Sequence, residues 1–155
     1  MKLDIGGGAN KIDPSFTSVD LFGGDVTAPM WDLPFADGSV ELIWSSHALE
    51  HVSFHRVAKT LKEWFRVLQP EGWAVIQVPN FDYVAHYWKN NPGTMRALAL
   101  VFGTQKNEGE FHKCAFTAET LRKHLEEAGF KVAKMDITWN YNQETLRAVC
   151  TKGEK

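Results

Sequence analysis

The chain has 155 residues, a formal net charge of −2 from 17 basic and 19 acidic side chains, and two cysteines. That length fits one domain (1–155) around one core, and the even mix of charges argues against a strongly electrostatic grip on nucleic acid. Cys114 and Cys150 lack metal-ligand spacing, no basic-then-apolar leader opens the chain, and no apolar run reaches the ~18 residues of a membrane span, so the expectation is a soluble cytoplasmic protein.

The first strand, Lys2 to Ile5, runs into Gly6-Gly7-Gly8-Ala9 with Asp4 just ahead of the glycines. Glycine tolerates positive φ and lets a ligand approach the backbone, so a glycine cluster leaving a strand points to a nucleotide-type cofactor. The G-x-G-x-x-G dinucleotide fingerprint is incomplete, because the third glycine is missing and Pro14 interrupts any helix begun at Ala9. A second strand, Phe16 to Leu21, carries Asp20 at its end; the spacing is near the minimum for a crossover, which predicts a turn in place of the usual helix.

Val40 to Trp44 and Trp73 to Val78 read as buried strands after Asp37-Gly38 and Pro70-Glu71-Gly72. Between them Val57, Leu61, Trp64, Phe65 and Leu68 share one helical face, and Arg56, Lys59, Lys62 and Arg66 form the other, read as solvated. Residues 81–111 are expected to be a lid or substrate-binding insertion, or a helical hairpin that only covers the sheet. They carry Tyr83, Tyr87 and Trp88, candidates for an aromatic wall around substrate. Thr117 is placed to cap a helix with Phe116 and Leu121 as its staple, and Gly129 to end it. Val132 to Trp139 and Leu146 to Thr151 then pair antiparallel across Asn140-Tyr141-Asn142-Gln143. The fold class is α/β, a Rossmann-like, mostly parallel sheet with an antiparallel last strand, trimmed at the N-terminus.

Five motifs in register, Asp4-x-Gly6-x-Gly8, Val19-Asp20-Leu21, Asp32-Leu33-Pro34-Phe35-x-Asp37, Ser45-Ser46-His47-x-Leu49-Glu50-His51-Val52 and Arg66-Val67-Leu68-x-Pro70-x-Gly72, resemble the class I S-adenosylmethionine-dependent methyltransferases. The abbreviated glycine turn and Phe111-His112-Lys113 resemble short bacterial methyltransferases of unassigned substrate. The resemblance implies S-adenosylmethionine as cofactor, with Gly6, Gly7, Gly8 and Ala9 bent beneath its methionyl and ribose parts and Asp4 bracing the loop. It assigns the ribose hydroxyls to Asp20, the adenine face to Leu21, the adenine edge to Asp32 and the Leu33 amide, and the methionyl flank to Ser45 and Ser46. The helices that usually precede the first strand in that family are missing here, which implies an open cofactor site that a homodimer or partner subunit could cover.

His47-Ala48-Leu49-Glu50-His51 also matches the H-x-x-E-H zinc-peptidase pattern, in which His47 and His51 would share a helical face. Its position at the end of a buried strand in a methyltransferase frame disfavours a peptidase. A divalent metal on His47, Glu50, His51 and His112, as in the metal-assisted RNA 2'-O-methyltransferases, is possible; the preferred reading is that Glu50 and His51 brace the helix while His112 lines the pocket. His47, His51 and His112 are the candidate bases or acceptor-orienting groups. The expected function is transfer of a methyl group to a small-molecule or sugar acceptor. The rivals are a NAD-dependent oxidoreductase and a non-catalytic accessory protein on the same fold.

Overall fold

The computed structural model describes residues 1–153. Its strands are β1 (Lys2–Ile5), β2 (Thr17–Asp20), β3 (Val26–Thr27), β4 (Val40–Ser46), β5 (Leu68–Pro79), β6 (Lys131–Asn140) and β7 (Gln143–Thr151). They form one sheet in the order β3-β2-β1-β4-β5-β7-β6. The pairs from β3 to β5 are parallel, and β7 runs antiparallel to both β5 and β6. This is the mostly parallel sheet with an antiparallel end that the sequence predicts. The helices are α1 (Val57–Val67), α2 (Phe81–Asn90), α3 (Met95–Phe102) and α4 (Ala118–Ala128).

The centre of the sheet is covered on both sides, so Leu3, Asp4 and Ile5 of β1 are all buried. The amphipathic stripe of α1 buries Val57, Leu61, Trp64 and Val67. Trp64 is fully enclosed and directs its indole N–H to the Met30 carbonyl (2.9 Å), satisfying the one polar group so large a core residue brings. Against α1 lies α4, through an edge-on Phe65–Phe130 pair. Thr117 caps α4 reciprocally with Thr120, and Gly129 closes it at φ +107°.

Between β1 and β2 there is no helix, as Pro14 and the short spacing predict. The loop is tied down instead by the Gly6 N–H on the Val19 carbonyl (2.8 Å) and the Ile12 N–H on the Asp4 carboxylate (2.7 Å). Several elements differ from expectation. β4, β5 and β7 all extend further, with Leu68 opening β5 instead of continuing the face of α1 and Pro70-Glu71-Gly72 lying within that strand, and β3 is a two-residue strand too short to leave a periodic signal. The β6–β7 connection is a tight two-residue turn, with Asn140 paired to Gln143 and both Tyr141 (φ +49°) and Asn142 (φ +59°) left-handed.

Residues 81–111 fold as the α2–α3 hairpin followed by a single 3-10 turn, Glu108–Glu110. Among the described residues no helix is long and apolar enough to cross a membrane.

Candidate active site

The carboxyl ends of β1, β2 and β4 surround a cavity of about 780 Å³, where ligands of open parallel sheets bind. Gly6, Gly8, Ala9, Asp20 and Leu21 line it, so five of the residues chosen from sequence meet there. The three glycines do different jobs. A Cβ on Gly6 would collide with Ala48 Cβ, and one on Gly7 would strike the Asp4 carboxylate, so both are demanded by packing beneath the loop. Only Gly8 (φ +53°) faces open space, with Asp20 Oδ2 beyond it.

Asp4 lies under the loop and outside the cavity lining. Burial pushes its carboxyl up, and the Ile12 N–H opposes the shift. It therefore braces the loop from below. Asp20 accepts the Phe22 N–H on Oδ1 (2.9 Å), which fixes the carboxylate at the cavity rim with Oδ2 left to accept from a ligand.

The adenine-side residues fall elsewhere than the sequence suggests. Asp32 is exposed and outside the lining, and the Leu33 amide already donates to Glu63 Oε1 (2.7 Å). The residues that reach the cavity from this segment are Ala28, Met30 and Trp31, which directly follow β3. Arg56 stacks on Trp31, its guanidinium carbon 4.7 Å from the ring centroid, so this arginine belongs to the cavity and not to a merely solvated face. Ser45 and Ser46 do not line it either. Ser45 is buried in the sheet with its hydroxyl unpartnered, and Ser46 donates to Gln77 Oε1 (2.9 Å).

His47, His51, Lys113 and the turn Asn107–Glu110 line the cavity as well. The insertion thus reaches the cavity through its last turn. Tyr83, Tyr87 and Trp88 do not: Tyr83 packs on Trp139 and Tyr87, and Trp88 on Phe102, away from the lining.

His47 leaves β4 in a left-handed conformation (φ +52°), which a side-chain-bearing residue rarely adopts, while its N–H holds the Gln77 carbonyl. It is therefore not helical, and His47 and His51 do not share a helical face; the 3-10 turn spans only Leu49–His51. Both ring nitrogens of His47 are engaged, Nε2 with Thr145 Oγ1 (3.0 Å) and Nδ1 beside Glu50 Oε1 (3.3 Å).

Glu50 is completely buried, and neither carboxylate oxygen has a hydrogen bond of good geometry. Desolvation pushes its carboxyl up, but the His47 imidazole, reinforced by His47 and His51 charge, outweighs burial and leaves it below the ordinary glutamate value. His112 lies behind the main cavity, lining a small void of about 10 Å³ with Glu50 and Cys114. Burial holds its imidazole below the usual histidine range against the pull of Glu50. One ligand-type atom from each of Glu50, His51 and His112 falls within 4.8 Å of the others; His47 is not in this group.

A family model described as a methyltransferase domain matches residues 3–76, from β1 into β5. No curated protein matches the chain in sequence. Among solved structures, a Methanosarcina mazei S-adenosylmethionine-dependent methyltransferase superposes with a TM-score of 0.76 at 17% identity, over 99% of this chain and 92% of that one. The Haloferax volcanii methyltransferase solved with its Trm112 activator gives 0.69 at 17% identity, over 99% and 82%. A Burkholderia thailandensis 1,6-didemethyltoxoflavin-N1-methyltransferase, solved with its acceptor and S-adenosylhomocysteine, gives 0.65 at 14% identity, over 99% and 71%. The segment that matches the methyltransferase-domain model carries the glycine loop, Asp20 and β4 into one cavity, and the chain as a whole has the fold of these S-adenosylmethionine-dependent methyltransferase structures.

Proposed function

We propose that this chain is a methyltransferase acting on a small polar acceptor, a sugar or comparable small molecule, held between His51 and the Asn107–Glu110 turn. The observation that carries the reading is a single cavity lined by two chemically distinct sets of groups. One offers a bare backbone at Gly8, a carboxylate at Asp20 and flat apolar surface at Leu21 and Trp31, which suits a nucleoside and its ribose. The other offers imidazole, carboxylates and the Lys113 ammonium, which suits an acceptor rich in hydrogen-bonding groups. The balanced net charge favours such an acceptor over a polyanion, and the Burkholderia neighbour was solved with 1,6-didemethyltoxoflavin bound.

Methyl transfer from a sulfonium is a direct displacement. The acceptor atom bonds to the methyl carbon as the carbon–sulfur bond breaks, the electron pair stays on sulfur, and the acceptor proton leaves. The chief contribution of the protein is alignment, with a group near the nucleophile to ease proton loss. His51 is that group in our reading: it lines the cavity, and its Nδ1 is spoken for by the Phe111 carbonyl (3.0 Å), leaving Nε2 for chemistry. His47 positions Glu50 through its own two contacts.

Titration calorimetry with S-adenosylhomocysteine tests the cofactor half. Binding is expected for the wild type, none for NAD, and a loss of roughly tenfold or more for Asp20→Ala, which removes hydrogen bonds from the ribose to a charged acceptor. Wild type that binds NAD and not S-adenosylhomocysteine would overturn the reading. A screen of small hydroxyl- and amine-bearing acceptors then addresses the substrate. We further infer that a second copy or partner subunit covers the open side of the cavity in a cytoplasmic setting, as an activator subunit accompanies the Haloferax neighbour; a concentration-independent monomer by light scattering would exclude the homodimer.

A further inference from the structure

We propose that Glu50, His51 and His112 form a binding site for one divalent transition-metal ion beside the cavity. His51 Nδ1 lies 3.0 Å from the Phe111 carbonyl and His112 Nδ1 lies 3.1 Å from the Leu100 carbonyl. A carbonyl only accepts, so each Nδ1 carries the proton and each Nε2 presents a bare lone pair. Metal-ligating histidines characteristically donate their other ring N–H to a backbone carbonyl or carboxylate in this way.

The third member is Glu50, fully enclosed, with both oxygens lacking a hydrogen-bond partner. A buried carboxylate without hydrogen bonds is costly, and the adjacent His47 offers only one contact at 3.3 Å. The two histidine rings meet edge-on with centroids 5.1 Å apart, and ligand atoms of all three residues lie within 4.8 Å of one another. Two imidazoles and an unpartnered buried carboxylate gathered this closely form a donor set that a cation would neutralise.

Two imidazoles and one carboxylate favour zinc, cobalt or a similar ion over magnesium, which prefers oxygen. Three protein ligands leave at least one coordination position, and His51, which also lines the cavity, puts the ion within reach of it. With the ion bound, His51 Nε2 is a ligand and no longer the base; water or an oxygen or nitrogen of the acceptor takes the open position, and the ion eases its proton loss instead by lowering its pKa. His47 is not a ligand: its two nitrogens are committed to Thr145 and Glu50, so it holds the carboxylate in place. Cys114 points its thiol at the Leu49 and Glu50 carbonyls and also lies outside the set. The role of the ion rests on the acceptor reading above, whereas its binding does not.

The test uses chelator-treated, tag-free protein titrated with Co²⁺ and Zn²⁺, with Mg²⁺ as the contrast, alongside S-adenosylhomocysteine calorimetry on the same samples. Expected is one equivalent of Co²⁺ with visible ligand-field absorption, displaced by Zn²⁺ and not by Mg²⁺. Binding should weaken by at least about 100-fold in Glu50→Gln and in His112→Asn, since even outer-shell changes typically cost 10–100-fold, and persist in Cys114→Ser. Wild type that binds S-adenosylhomocysteine but takes up neither Co²⁺ nor Zn²⁺ overturns the metal site and leaves the methyltransferase reading intact. Undiminished Co²⁺ binding in both variants overturns it too, whatever their thermal stability.

Discussion

A methyl group on Gly6 would fall inside the contact distance of Ala48, and one on Gly7 inside that of Asp4. The cofactor loop is thus shaped from below as well as from its ligand side. Similar double duty falls on Glu63, which accepts the Leu33 N–H and pairs with Arg66 (2.7 Å), while Arg66 reaches the Phe35 and Leu33 carbonyls. The Arg66 hydrogen bond, with the Leu33 amide, lowers the Glu63 carboxyl below its ordinary value of 4.5. A depressed carboxylate contributes stability that is complete above the ordinary value and is lost as pH falls through the folded one. Glu63→Gln should therefore cost about 1 kcal/mol at neutral pH, given partial exposure, and flatten the acid limb of stability below roughly pH 5. Urea melts at neutral and acid pH would measure both; a variant equal to wild type at pH 7 would contradict the account. At this same scale the sequence misleads. Leu33 is conspicuous in Asp32-Leu33-Pro34-Phe35, yet its amide serves Glu63, and Met30 and Trp31 reach the cavity instead. Which residues leave a strand at its carboxyl edge depends on where the strand ends, and β3 has only two residues by which to see it.

Among the elements, α4 shows how far local signals carry. Thr117 accepts the Thr120 N–H (3.2 Å) and its own N–H is held by Thr120 Oγ1 (2.9 Å), with Phe116 and Leu121 buried on either side. These contacts lie within five residues, so they are written in the sequence. Thr117→Ala should destabilise the fold by about 1 kcal/mol without altering S-adenosylhomocysteine affinity, as denaturant unfolding and calorimetry would show. The insertion is less legible. Its aromatic residues suggest a substrate wall, but Tyr83 packs on Trp139 of β6 and Trp88 on Phe102 of α3. The polar turn after α3, with no large side chain of its own to attract notice, is what reaches the cavity. Phe22 from the β2–β3 loop closes against Gly109 of that turn, which links the two rims.

For the whole molecule, the cavity is a seam between the sheet edge and the last turn of the insertion. A ligand that fills it joins segments distant in sequence, so binding should appear as global stabilisation. At a hundred times its dissociation constant S-adenosylhomocysteine would add about 2.7 kcal/mol, a Tm rise of roughly 5–10 °C for a chain of this size. The rise should shrink sharply in Asp20→Ala; an equal rise in that variant would place the ligand elsewhere.

The sequence by itself determined the mostly parallel class of the sheet with its antiparallel end, the glycine loop without a following helix, Asp20 at the end of β2 and the caps of α4. Each rests on neighbours along the chain, through backbone conformation and periodicity. The tertiary structure alone decided that Trp31 and Arg56 face the cavity while Asp32 does not. It also separated His47, which supports Glu50, from His51 and His112, each with a ligand-type atom within 4.8 Å of it. Glu50 and His51 share one turn, but His112 arrives from the far side of the α2–α3 hairpin. Residue types name the possible ligands, and only the path of the intervening chain sets the distances between them.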